Sequence, residues 1–79
     1  MNRQYNEELT RFCFWLEMSA QISGFERFVH RTEYLSPTDK ETLKRIKKAL
    51  SESYRLAERQ KNYHSRQLER IRRNYLDEH

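Results

Sequence analysis

One glycine, one proline and one cysteine in 79 residues leave this chain short of the residues that turn, break or cross-link a backbone. So few turn formers disfavour a sheet, whose strands need tight reversals at their ends. The single Cys13 excludes an internal disulfide and gives no sign of an oxidising compartment. No apolar run approaches the ~18 residues of a membrane span, and the first residues lack the apolar stretch of a signal peptide. The cytoplasm is therefore the expected location. Strongly apolar side chains are scarce as well. Leu, Ile, Val and Phe together supply sixteen of the 79 residues, near the floor below which highly charged chains stay disordered. Ten aromatic residues work against that shortage, because each ring buries a large area.

The shortages extend to chemistry. The sequence has no Gly-rich phosphate loop, no Gly-x-Ser-x-Gly elbow and no carboxylate pair in an apolar setting. His30, His64 and His79 stand far apart, Cys13 has no nearby thiol partner, and no two of these lie at i,i+4. No metal site, no cofactor and no catalytic residue are expected. Cys13, flanked by Phe12 and Phe14, reads as a buried and unreactive thiol.

What is present is charge, helix-forming pattern and a lopsided distribution of both. The net charge is +4. Residues 1–36 hold four basic and five acidic side chains, and residues 37–79 hold twelve basic and seven acidic. The positive surplus lies wholly in the second half, which suits an anionic partner or simply keeps the chain soluble.

The pattern predicts an all-α fold of three helices. In the first, about 4–22, Tyr5, Leu9, Phe12, Cys13, Leu16 and Ala20 recur at steps of three and four and share a face. Phe14, Trp15, Met18 and Ile22 point roughly the other way, so this helix must be covered on two sides. Ser23-Gly24-Phe25-Glu26 reads as a stop and a restart, with Ser23 and Glu26 placed as a capping box. A short helix of about 24–34 is expected next, presenting Phe25, Phe28, Val29 and Thr32. Ser36-Pro37 then has the form of an N-cap followed by proline at the first helical position, with Asp39 and Glu41 suited to the first-turn dipole.

From Pro37 onward there is no glycine and no further proline, and one long helix of about 37–76 is expected. Its stripe of Leu43, Ile46, Leu50, Tyr54, Ala57, Leu68, Ile71 and Tyr75 is interrupted by Lys61 and His64. A single polar residue such as His64 can fix register in a helical pair. Such a helix spans about 60 Å, whereas the first would cover only some 28 Å of it. The chain is expected to be one domain, 1–79, with 58–79 a basic helical extension that either protrudes or is covered by a partner. A second chain covering Leu68, Ile71 and Tyr75 is the favoured expectation, and a break near His64-Ser65 is the alternative.

Two candidate surfaces follow. Lys44, Arg55 and Arg66 are eleven apart, as are Lys48, Arg59 and Arg70, and Arg73 lies close beside them. Eleven residues return a helix to within about 20° of the same face, so these cations form a stripe opposite the apolar one. It could track a nucleic-acid backbone, meet an acidic protein or membrane, or be an ordinary solvated face. Phe14, Trp15 and Met18, together with Leu68, Ile71 and Tyr75, are the candidate protein interface. The expected function is that of a non-enzymatic small helical interaction or regulatory protein, binding a larger protein or itself. The alternative is a nucleic-acid-binding accessory protein using the basic stripe.

Overall fold

The computed structural model describes residues 2–29 and 34–78, with backbone only for 2, 77 and 78. It contains two helices, α1 (Asn2–Phe28) and α2 (Pro37–Glu78), and no strand among the described residues. They pack side by side into a rod of 63 × 14 × 13 Å. Their direction is antiparallel, since Glu8 near the start of α1 reaches His64 late in α2, while Ser19 reaches Glu58.

The start of α2 forms as its sequence dictates. The Asp39 N–H donates to Ser36 Oγ at 3.1 Å and the Ser36 N–H donates to Asp39 Oδ2 at 3.3 Å. That reciprocal pair satisfies two amides, and Pro37 removes another from a turn where amides have no helical partner. The helix then continues unbroken through His64-Ser65, so the break considered at that point does not occur.

The other expected interruption is also missing. Ser23-Gly24 does not end a helix, and the two N-terminal helices expected at 4–22 and 24–34 are one helix through Phe28. Gly24 keeps an ordinary helical φ, and no positive φ occurs at any described residue. Glycine inside a helix costs about 1 kcal/mol and a cap is worth a similar amount, so the local signals nearly balance. Tertiary packing decides. Continuing the helix carries Glu26 and Val29 onto the face that meets α2, and Val29 ends up 8% exposed. Residues 30–33 of the expected second helix, including Thr32, lie outside the described residues.

Fusing the two segments changes how much of α2 is covered. With 27 residues, α1 is about 40 Å long rather than 28 Å. Leu68 and Ile71 are half-buried within the rod, so covering them needs no second chain.

The contact between the helices follows a heptad. The less exposed positions of α1 step from Tyr5 to Val29 in alternating threes and fours, and those of α2 step likewise from Leu43 to Ile71. This is the spacing of helices that wind about each other. The seam is thin, however. Val29 and Ala57 are its buried apolar residues, and among the described residues no large side chain is fully buried. A compact protein of 9.9 kDa exposes about 5,200 Å², whereas this rod exposes 6825 Å².

Candidate interaction surfaces

The seam itself is rich in polar groups. Glu8, Ser19, Glu26, Lys47, Lys61 and His64 all occupy heptad positions between the helices. His64 Nδ1 meets Glu8 Oε2 at 2.7 Å, with the two side chains 11% and 15% exposed. That hydrogen bond holds the Glu8 carboxyl below its usual range, against a smaller opposing effect of burial, and Arg11 adds to the lowering. Ser19 Oγ donates to Glu58 Oε1 at 2.7 Å, while Lys61 bridges the other oxygen of that carboxylate. Lys61 and then Ser19 hold Glu58 below the ordinary carboxylate range. Tyr54 donates to Glu58 as well, which pushes its phenol upward. One oxygen of Glu26 is buried without a hydrogen-bond partner. These pairs fix register because each charged group has its partner at one height only.

With polar groups inside, large apolar groups lie outside. Phe14, Phe25 and Phe28 are 54%, 58% and 65% exposed, and Met18 is 37% exposed. No helix among the described residues folds over Phe14 and Met18. Trp15 and Ile22, grouped with them by sequence, turn into the seam instead. Tyr75, the last member of the sequence-based interface, is 38% exposed near the end of α2. Cys13 is exposed, which corrects the expectation of a buried thiol: its neighbours Phe12 and Phe14 diverge by 100° to either side and neither covers it.

The positions of the exposed groups form an ordered surface. Phe14, Met18, Gln21, Phe25 and Phe28 are each the residue just before a seam position of α1. On α2 the residues just before the seam run from Ile46 to Gln67 and read Ile, Ala, Ser, Leu, Gln, Tyr, Gln. None of them is charged, in a helix where twelve residues are basic and seven acidic. Residues preceding the seam lie anticlockwise of it when a right-handed helix is viewed from its N-terminus. Reversing one helix mirrors that view, so in an antiparallel pair both lines fall on the same side of the rod. The hairpin therefore has one face built from both helices that is uncharged from Phe14 to Phe28 on α1 and from Ile46 to Gln67 on α2, with Ile46 and Leu56 44% and 59% exposed, while Glu7 and Arg11 hold the same place nearer the start of α1. The opposite side mixes Leu9, Leu16 and Cys13 of α1 with Lys44, Lys48, Arg55, Glu58, Glu69 and Arg72 of α2.

This face was hidden from apolar periodicity because its α2 half is defined by absent charge rather than by hydrophobic residues. Ala49, Ser53, Gln60 and Gln67 carry no apolar signal.

The basic stripe winds around the outside of α2, from Lys44, Lys48 and Arg55, which follow seam residues, across Arg59, Arg66 and Arg73 on the back, to Arg70, which precedes the seam residue Ile71. Lys44, Lys48, Arg55, Arg59, Arg66, Arg70 and Arg73 are all exposed. Arg73 pairs with Glu69 at 3.3 Å. The other six have no carboxylate partner among the described residues and extend over about 40 Å of helix. Open grooves along this back are lined by Arg59, Tyr63 and Arg66 and by Arg66, Arg70 and Asn74. Among the described residues no three His, Cys, Asp or Glu side chains stand close enough to hold a metal ion, and no helix is long and apolar enough to cross a membrane. His30 and His79 lie outside the described residues.

Comparison with protein-family models, with characterised proteins and with solved structures finds no match to this chain.

Proposed function

We propose that this chain is a non-enzymatic helical interaction protein that acts by docking its uncharged face on another protein surface. The observation that carries this reading is the exposure of Phe14, Phe25 and Phe28 beside Ile46 and Leu56 on one side of the rod. Monomeric proteins rarely leave a contiguous apolar patch of this kind to water, and aromatic and methionine side chains are enriched where binding energy concentrates. The hairpin's own seam is too thin and too polar to be the main source of stability, so covering the face also stabilises the fold. Capture of partners from a lysate tests the reading: wild type should retain a protein that the Phe25→Glu variant, checked for helix content, loses. Equal capture by both removes the face from the function.

A second reading is favoured by the six cations along the outside of α2 that have no carboxylate partner among the described residues: an accessory protein that also holds a nucleic-acid backbone. Such contacts release counterions, so binding weakens steeply as salt rises. A gel shift with mixed-sequence duplex and single-stranded RNA at two salt concentrations tests it. No shift at ~50 mM salt and micromolar protein, where non-specific binders are normally visible, removes this reading.

A further inference from the structure

We infer that the surface covering the uncharged face is a second copy of this chain, giving an antiparallel four-helix bundle in which α1 of each copy packs on α2 of the other. The inference rests on the docking face proposed above and names its occupant.

Size comes first. The face is uncharged on both helices over about 21 Å, from Phe14 to Phe28 on α1 and from Ile46 to Gln60 on α2, and is two helices or roughly 20 Å wide, so it offers on the order of 400 Å² of projected area, with Arg11 and Glu7 of α1 beyond it beside Tyr63 and Gln67. A standard interface buries about 800 Å² of accessible surface per partner, and corrugated side chains expose more than their projection. One identical rod laid face to face supplies a surface of the right length and width. Four-helix bundles commonly pack neighbouring helices antiparallel.

Charge then selects the arrangement. Two rods can meet face to face with α1 over α1 and α2 over α2, or with α1 over α2 and α2 over α1. The first sets two strongly basic α2 helices side by side. The second places each α2 between two α1 helices, whose acidic residues slightly outnumber their basic ones, and puts the two α2 helices on a diagonal.

Shape agrees with the same choice. The Glu8–His64 and Ser19–Glu58 contacts fix relative heights, which puts Met18 level with the turn at Leu56 and Phe25 level with that at Ala49. A two-fold axis along the rod preserves heights, so Phe25 of one copy meets Ala49 of the other, Phe28 meets Ile46, and Met18 meets Leu56. Large rings then face small or medium residues, as dense packing requires. Gln21 falls opposite Ser53, where each can satisfy the other.

The test is sedimentation equilibrium of the full chain over a micromolar concentration range. The expected mass is twice the 9.9 kDa chain. Met18→Lys and Leu56→Glu, each alone, should abolish the dimer, and Leu16→Glu on the opposite side should not. Mixing the Met18→Lys and Leu56→Glu chains should restore a heterodimer, because the ammonium introduced in one chain then faces the carboxylate introduced in the other. This rescue reads out even where the single variants lose helix. Failure of rescue overturns the α1-on-α2 arrangement. A wild-type mass of one chain at every concentration, or of more than two, overturns self-association as inferred. In the one-chain case, loss of lysate capture by Phe25→Glu leaves the docking face standing without self-association, while unchanged capture removes both.

Discussion

Gly24→Ala tests the continuity of α1 at the place where its sequence argues for a break. Gly24 lies inside the helix, has no positive φ, and a Cβ built on it would meet nothing within 4 Å. The substitution therefore adds no clash and removes no turn. Its effect reduces to the helix-interior difference between glycine and alanine, about 0.8–1.0 kcal/mol in favour of alanine. For a chain of this size that corresponds to a rise in melting temperature of about 4–8 °C, measurable by circular dichroism at 222 nm. The measurement is made at one fixed protein concentration, because assembly would shift the midpoint by mass action. If Ser23-Gly24 instead ended one helix and capped another, alanine would gain nothing and would oppose the turn. An unchanged or lowered midpoint would refute the continuous helix. Gly24→Pro supplies the opposite arm, with a loss of about 3 kcal/mol or more, since proline deletes a mid-helix amide bond and clashes with the preceding turn.

Acid should weaken the fold through Glu8. Its carboxyl is held below the usual range by His64, so its contribution is present above the unfolded-state value near 4.5 and disappears as pH falls through the lower folded value. The rod is one layer thick and screening limits the effect to less than ~1 kcal/mol; Glu8→Gln should flatten the midpoint-against-pH profile in that acidic window, and an unchanged slope would separate the contact from stability. Ala57 is 2% exposed at the seam, so Ala57→Leu should destabilise by about 1–3 kcal/mol through overpacking, read by urea titration; a neutral result would mean the helices are not in close contact there. Cys13 should react with a thiol reagent in the native state at close to the rate of an unfolded control, since it is exposed, and Cys13→Ser should change the midpoint by under ~0.5 kcal/mol. Along the outside of α2, Arg55→Glu and Arg66→Glu should each leave stability within ~0.5 kcal/mol. If the stripe holds a nucleic-acid backbone, each should also flatten the salt dependence of binding by about one to two charges, and unaltered binding would assign the stripe to solvation.

The legible parts of the fold were those fixed by local chemistry. Ser36-Pro37-Thr38-Asp39 contains every group that closes the first turn of α2, and no other contact is needed to place it. The uninterrupted run after Pro37 identified a single long helix for the same reason. Ser23-Gly24-Phe25-Glu26 misled because its local preference is of the order of 1 kcal/mol either way, and the partner that settles it lies more than twenty residues along the chain. Apolar periodicity placed the α2 side of the seam but misplaced the α1 side, for a different reason. It sorts residues by hydrophobicity, whereas this seam alternates Tyr5, Phe12, Trp15 and Ile22 with Glu8, Ser19 and Glu26. Only the step of three and four, read without regard to residue type, recovers it. The basic stripe was found because charges eleven apart stay in register on any straight helix, whatever packs on its far side.

The polar seam and the apolar outer face have one physical origin in common. In the inferred bundle, apolar side chains placed outside the hairpin's own seam are the ones left to drive assembly. Polar contacts such as Glu8–His64 and Ser19–Glu58 set the relative height of α1 and α2 while adding little net stability, since each must be drawn partly out of water. Heights fixed in this way are what a second rod needs in order to match Phe25 with Ala49 and Met18 with Leu56. In the inferred bundle, register is supplied within one chain and cohesion between chains. Exchanging the two, with phenylalanines in the seam and charges outside, would give a stabler isolated hairpin with no reason to associate. The α2 line free of charge from Ile46 to Gln67 is therefore as informative as the aromatic residues beside it, for a solvated helix face of that length would ordinarily carry several charges.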